Sequence, residues 1–255
     1  MIYRGAQGIW VHQLQTGKLT PDRVGVAVSV LHTGETYADD LFEDGLIYHY
    51  PKTVRGRKDE REAQALKYAE AYRLPLFVIL HSKDKALRDV KTGWVAGHDD
   101  ETKQCLILFG EIPLALRPTL EDQPFRLDAD RIEKQRTVTQ RERSPRFQFE
   151  VTQRYGPQCA FCDICDPRLL EAAHIRPVSE NGSDDPRNGL VLCANHHKAF
   201  DKGLVAVRPP ANELVPLDAA ITLKSIGISR TTIIHLRESP HADAINWRWT
   251  RDRGT

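Results

Sequence analysis

Residues 159–203 read CAFCDICDPRLLEAAHIRPVSENGSDDPRNGLVLCANHHKAFDKG, and this stretch decides how the chain is organised. Cys159 and Cys162 are separated by two residues, and so are Cys193 and His196. Two donors at that spacing share a tight turn and reach one tetrahedral ion at about 2.0–2.3 Å. Two such pairs close a structural zinc site, which staples a module too small to rest on its own core. Cys165 continues the spacing and is an alternative ligand, although a bystander role is the simpler reading. Between the pairs, LLEAAHI reads as a strand carrying His174, and GLVL reads as a second short strand just after Asn188. A helical stretch opens at His197 and also carries Asp201. At positions i and i+4 those two side chains share one helical face and can reach one cation.

This layout suits phosphodiester hydrolysis. A neutral imidazole can take a proton from water. A divalent ion can stabilise a pentacoordinate phosphate and the leaving oxygen. An amide can accept from, or donate to, an imidazole or backbone group and so orient the base. On these residues the segment resembles the HNH (ββα-metal) nucleases, in the subgroup with a zinc knuckle. The resemblance spans about 159–203 and includes AAHIRP, NGLVLC and HHKAFDKG. It implies His174 as general base, Asn188 as the middle asparagine, and His197 with Asp201 as ligands of a catalytic Mg2+ or Mn2+. Cys159, Cys162, Cys193 and His196 would hold the structural Zn2+. One departure stands out: many members carry Asp or His just before the base as a metal ligand, and here that residue is Ala173.

Working outward, the net charge is +1, from 36 basic and 35 acidic side chains, so no basic coat covers the whole protein. Nucleic-acid contacts, if made, must be local. Hydrophobic residues make up 40% and charged residues 28%, which permits packed cores and disfavours disorder over the 255 residues. No apolar run approaches the roughly 20 residues of a spanning helix. MIYRGAQGIW lacks a basic segment followed by an apolar core, so the expectation is a cytoplasmic protein without a secretory signal. Four of the five cysteines crowd between 159 and 193, which in a reducing compartment points to metal rather than disulfides.

Residues 1–116 read as a mixed, strand-rich domain. Strands are expected at 24–31, 46–50, 76–80 and 105–109, and a helix at 60–72. Residues 117–150 read as a proline-punctuated, charged linker. Six basic residues (Arg131, Lys134, Arg136, Arg141, Arg143, Arg146) face two acidic ones (Glu133, Glu142) between 131 and 146, giving either a solvated helix or a phosphate-contacting segment. Residues 151–255 hold the cysteine/histidine module and a C-terminal extension in which Trp247 and Trp249 are expected to pack on the module.

In the first domain, Tyr37-Ala38-Asp39-Asp40 is followed by Gly45, by Tyr48 and Tyr50, and by Arg55, Arg57 and Lys58. This segment resembles the SRA (SET- and RING-associated) domain, a PUA-like β-barrel that reads modified cytosine. The resemblance implies that Tyr37 and Tyr50 sandwich a flipped base, that Asp40 accepts from the cytosine edge with Asp39 beside it, and that Arg55, Arg57 and Lys58 hold the DNA backbone. Flipping costs a few kcal/mol. Stacking on aromatic rings returns about 1–3 kcal/mol per base. The competing view of the segment is an acidic turn between two strands.

The whole chain thus resembles modification-dependent restriction endonucleases of the SRA–HNH type. The expected fold class is α+β, a PUA-like β-barrel followed by a small zinc-stabilised ββα-metal domain. The expected partner is double-stranded DNA containing 5-methylcytosine or 5-hydroxymethylcytosine. A homodimer is expected because one HNH site cuts one strand. Alternatives are a non-catalytic reader with a zinc module, or an HNH nuclease whose first domain binds another ligand.

Overall fold

The structure, a computed structural model, describes residues 8–33, 40–52, 56–82, 87–110, 120, 122–129 and 144–254. The chain forms two compact units, Met1–Asp122 and Gln123–Thr255. In the first, β1 (Ile9–Val11), a short α1 (Gln13–Thr16), β2 (Ala27–His32), β3 (Leu41–Phe42) and β4 (Gly45–His49) precede α2 (Arg57–Ala71). Then come β5 (Leu76–His81), β6 (Arg88–Asp99) and β7 (Gln104–Phe109). The seven strands make one curled sheet in the order β1-β2-β5-β6-β7-β4-β3. Only β2 and β5 run parallel among its pairs. That pairing needs a long return connection, which the β3–β4 hairpin and α2 supply. Ala65, Leu66 and Ala69 of α2 bury against Val30, Leu46, Val78, Val95 and Ile107, the alanines letting the helix lie close to the sheet. The described strands end on β1 and β3 and form half a barrel.

The expected strands and the helix appear within a few residues of their expected bounds. The long β6 does not follow from its sequence, because RDVKTGWVAGHD starts with four exposed residues and does not alternate. It is central through its backbone, which pairs with both β5 and β7. Gly93 is required there: a Cβ would stand 2.8 Å from Ile107 Cγ2 and 2.9 Å from Val78 Cγ2.

In the second unit, α3 (Pro145–Tyr155) leads to β8 (Leu170–His174), β9 (Gly189–Cys193) and α4 (Ala194–Asp201). A hairpin of β10 (Val205–Arg208) and β11 (Glu213–Pro216), then α5 (Ala242–Arg253), complete it. The expected strand–strand–helix order is present, with β8 and β9 antiparallel and His174 opposite Gly189. The linker expected over 117–150 does not persist to its end. Ser144 caps α3 by accepting from the Phe147 N–H, Pro145 starts it, and Phe147, Val151 and Tyr155 enter the core. Phe125 and Leu127 pack on that core as well. Burial of these aromatic and aliphatic groups outweighs the charges around them. Gly189 lets α3 approach β9, since a Cβ there would stand 2.5 Å from Val151 Cγ2.

Candidate active site and metal centre

Cys159, Cys162, Cys193 and His196 converge as the sequence spacing requires. All four are buried, and their donor atoms lie within 4.8 Å of one another. Among the described residues this is the one such group. The first pair follows α3; the second joins the end of β9 to the first turn of α4, so an ion here would tie three elements together. The Cys159 sulfur accepts backbone N–H groups from Phe161 (3.4 Å) and Cys193 (3.3 Å). His196 places Nδ1 3.4 Å from Cys159 Sγ and 3.3 Å from Cys193 Sγ. Its Nε2 lies 3.3 Å from the Ile226 carbonyl, so a hydrogen on Nε2 donates to that oxygen and leaves Nδ1 bare for a metal. Burial pushes the Cys159 thiol up to about 12 and lowers His196, which favours the neutral imidazole a metal needs. Thiolates at such a place call for a cation, and three thiols with one imidazole suit zinc. Cys165 is exposed and stands outside the group.

His174 ends β8 with its ring stacked flat on Phe147, centroids 3.8 Å apart and planes 6° apart. Its Nε2 lies 2.9 Å from Asp184 Oδ1. Asp184 is not marked in the sequence, because a carboxylate ten residues away in a polar loop carries no periodic signal. Asn188 is fully buried. Its Oδ1 accepts from the Arg176 N–H at 2.9 Å, and its Nδ2 donates to the Ser183 (2.9 Å) and Arg176 (3.2 Å) carbonyls. It therefore braces the loop that follows His174 through backbone groups rather than through the imidazole.

His197 and Asp201 share a face of α4, with Nε2 3.6 Å from Asp201 Oδ2. An imidazole and a hard carboxylate at that separation fit Mg2+ or Mn2+, which usually keeps several waters and accepts substrate phosphate as a ligand. Ala173 is fully buried and pairs with Leu190. The other ring nitrogen, Nδ1 of His197, lies 2.6 Å from Glu171 Oε2.

The C-terminal extension braces the same site. Arg248 of α5, 2% exposed, donates to the Ile175 carbonyl (3.3 Å) and to the Phe200 carbonyl, and its Nε meets Asp252 Oδ2 at 2.6 Å. Arg176 lies over Trp247, 4.9 Å from the ring centre. One buried guanidinium thus links Ile175, the residue after His174, to α4, the helix that carries His197 and Asp201.

In the first unit, Tyr37, Asp39 and Arg55 lie outside the described residues, as do Arg131, Glu133, Lys134, Arg136, Arg141, Glu142 and Arg143. Asp40 places Oδ2 2.7 Å from His49 Nε2. Tyr50, just past the end of β4, faces Lys67 of α2, whose Nζ is 5.9 Å from the ring centre. The structure therefore places Asp40 beside His49. Arg57 is exposed at the start of α2, and Lys58 pairs with Glu62 at 3.5 Å. No helix among the described residues is long and apolar enough to cross a membrane.

Comparison with curated proteins gives no match. Among solved structures, the chain is similar to a modification-dependent TagI restriction endonuclease, with a TM-score of 0.39 and 19% identity over 96% of this chain and 85% of that one. It is also similar to the Type IV phosphorothioation-dependent restriction endonuclease ScoMcrA, with a TM-score of 0.24 and 12% identity over 77% of this chain and 59% of that one. A family model described as HNH endonuclease matches residues 159–208. The segment holding the Cys3His group, His174, Asn188, His197 and Asp201 is an HNH endonuclease domain, and the second unit is a nuclease.

Proposed function

We propose that the chain is a modification-dependent restriction endonuclease. Its first unit takes a 5-methylcytosine or 5-hydroxymethylcytosine flipped out of duplex DNA, and its second unit hydrolyses a nearby phosphodiester bond. The observation that carries the catalytic half is the placement of His174 on β8 beside a helix bearing His197 and Asp201, the strand pair and helix being tied by one Cys3His group. His174 takes the proton from water at Nδ1, because Asp184 accepts the Nε2 hydrogen and steadies the cation that forms. The flat stack on Phe147 limits rotation of the ring. Asn188 holds the following loop to the hairpin. A Mg2+ or Mn2+ ion on His197 and Asp201 would supply the Lewis acid that stabilises charge on the phosphate and leaving oxygen. A Zn2+ ion on Cys159, Cys162, Cys193 and His196 would be structural.

The reader half is supported by the Tyr37-Ala38-Asp39-Asp40 segment and by its resemblance to SRA domains, whose PUA-like barrel is the proposed architecture of the first unit. Tyr37 and Tyr50 supply stacking faces, Asp40 and Asp39 the carboxylates that accept from the exocyclic amine, and Arg55, Arg57 and Lys58 the phosphate contacts. His49 stands beside the carboxylate of Asp40, Nε2 2.7 Å from Oδ2. One such site cuts one strand, so double-strand cleavage takes two copies, assembled as a homodimer. With Mn2+ and a plasmid carrying 5-methylcytosine, His174→Ala is expected to cut about 10²–10⁴-fold more slowly than the unaltered protein while retaining DNA binding. Equal cutting by both would remove His174 from the mechanism.

A further inference from the structure

Glu171 stands on β8 two residues before Ala173, on the same side of the strand. Its partner there is His197, with Oε2 2.6 Å from Nδ1. Both side chains are about one-fifth exposed, so the contact is largely sheltered from competing water. The two nitrogens of an imidazole lie on different sides of the ring. Glu171 takes one, and Asp201, 3.6 Å from Nε2, stands at the other. A carboxylate that accepts the hydrogen of one ring nitrogen fixes the tautomer and leaves the second nitrogen bare.

Resting on the proposed catalytic ion at His197 and Asp201, we propose that Glu171 is the positioning residue of that metal site. It acts through His197, directing a bare Nε2 toward the face shared with Asp201. Where many relatives place a direct ligand on this strand just before the base, this chain has a buried methyl group. The strand instead supplies its carboxylate one step earlier, behind the histidine.

The test measures Mn2+ binding to the full chain by electron paramagnetic resonance, with zinc content and thermal melting followed on the same samples. His197→Ala sets the loss expected when the ligand itself is gone. Glu171→Ala is expected to weaken Mn2+ affinity about 10–100-fold, with zinc content and melting retained. Excess Mn2+ should restore part of its cutting, since the residue touches neither metal nor phosphate. Glu171→Gln, whose amide oxygen can still accept from Nδ1–H, should fall between Glu171→Ala and the unaltered chain. Mn2+ affinity unchanged in Glu171→Ala but lost in His197→Ala overturns the proposal alone. Unchanged affinity in His197→Ala overturns the underlying placement of the ion as well. If Glu171→Ala and Glu171→Gln lose zinc and melt together, the contact is structural and the proposal fails.

Discussion

Asn188 has no polar atom to spare. Its oxygen takes the Arg176 N–H, and its two amide hydrogens go to the Ser183 and Arg176 carbonyls, all in a fully buried setting. Asn188→Asp would keep the acceptor but turn a carboxylate oxygen toward two carbonyls, and a buried group left unsatisfied costs about 1–3 kcal/mol, more when charged. We expect Asn188→Asp to lower the melting temperature of the second unit and abolish cutting. A variant that melts and cuts like the unaltered chain would show that the amide is not the brace described. Asn, Asp184 and Glu171 illustrate an unequal legibility. Asn188 was readable because its spacing to His174 and His197 belongs to a pattern. Asp184 and Glu171 were not, because their contacts with His174 and His197 span ten and 26 residues of chain respectively.

Among the elements, the hairpin, α4 and the Cys3His group form one mechanical unit, and α5 closes it. Arg248 is buried between the Ile175 and Phe200 carbonyls and is paired with Asp252, whose side chain is 4% exposed. Removing one member of a buried pair costs about 3–5 kcal/mol when its partner is left uncompensated, and here Asp252 keeps Arg251 at 2.9 Å. Arg248→Ala should therefore destabilise the second unit by less than that amount, seen as a lower denaturation midpoint, and slow cutting. An unchanged midpoint would show that α5 is dispensable to the fold. Chelation of zinc should unfold the same unit, since folding and metal binding are linked in such sites; circular dichroism with a strong chelator checks this, and a retained spectrum would contradict it. The metal spacing and the strand–strand–helix order were legible because they are local. The role of α5 was not, because one arginine in WRWTRDR looks solvated until its partners are known. Phe147 and Phe149 were an available sign that the charged connector ends in a core helix. The polar β6 gave none, its place being set by backbone pairing on both sides.

At the scale of the whole chain, a net charge of +1 leaves no general attraction to DNA. Selectivity in the proposed function then rests on local groups: the Tyr37–Asp40 segment with Tyr50, the cations at 55–58, and the ion at the cut site. Weak non-specific binding leaves the flipped base to supply much of the discrimination. Tyr37→Ala should abolish the preference for modified DNA while leaving zinc content and melting unchanged. The most direct measurement is cleavage of two duplexes of identical sequence, one carrying 5-methylcytosine or 5-hydroxymethylcytosine and one carrying only cytosine, with Mg2+ or Mn2+ present. The account predicts cutting of the modified duplex and little of the other. Equal cutting of both would contradict the reader, and no cutting of either would contradict the nuclease mechanism built on His174.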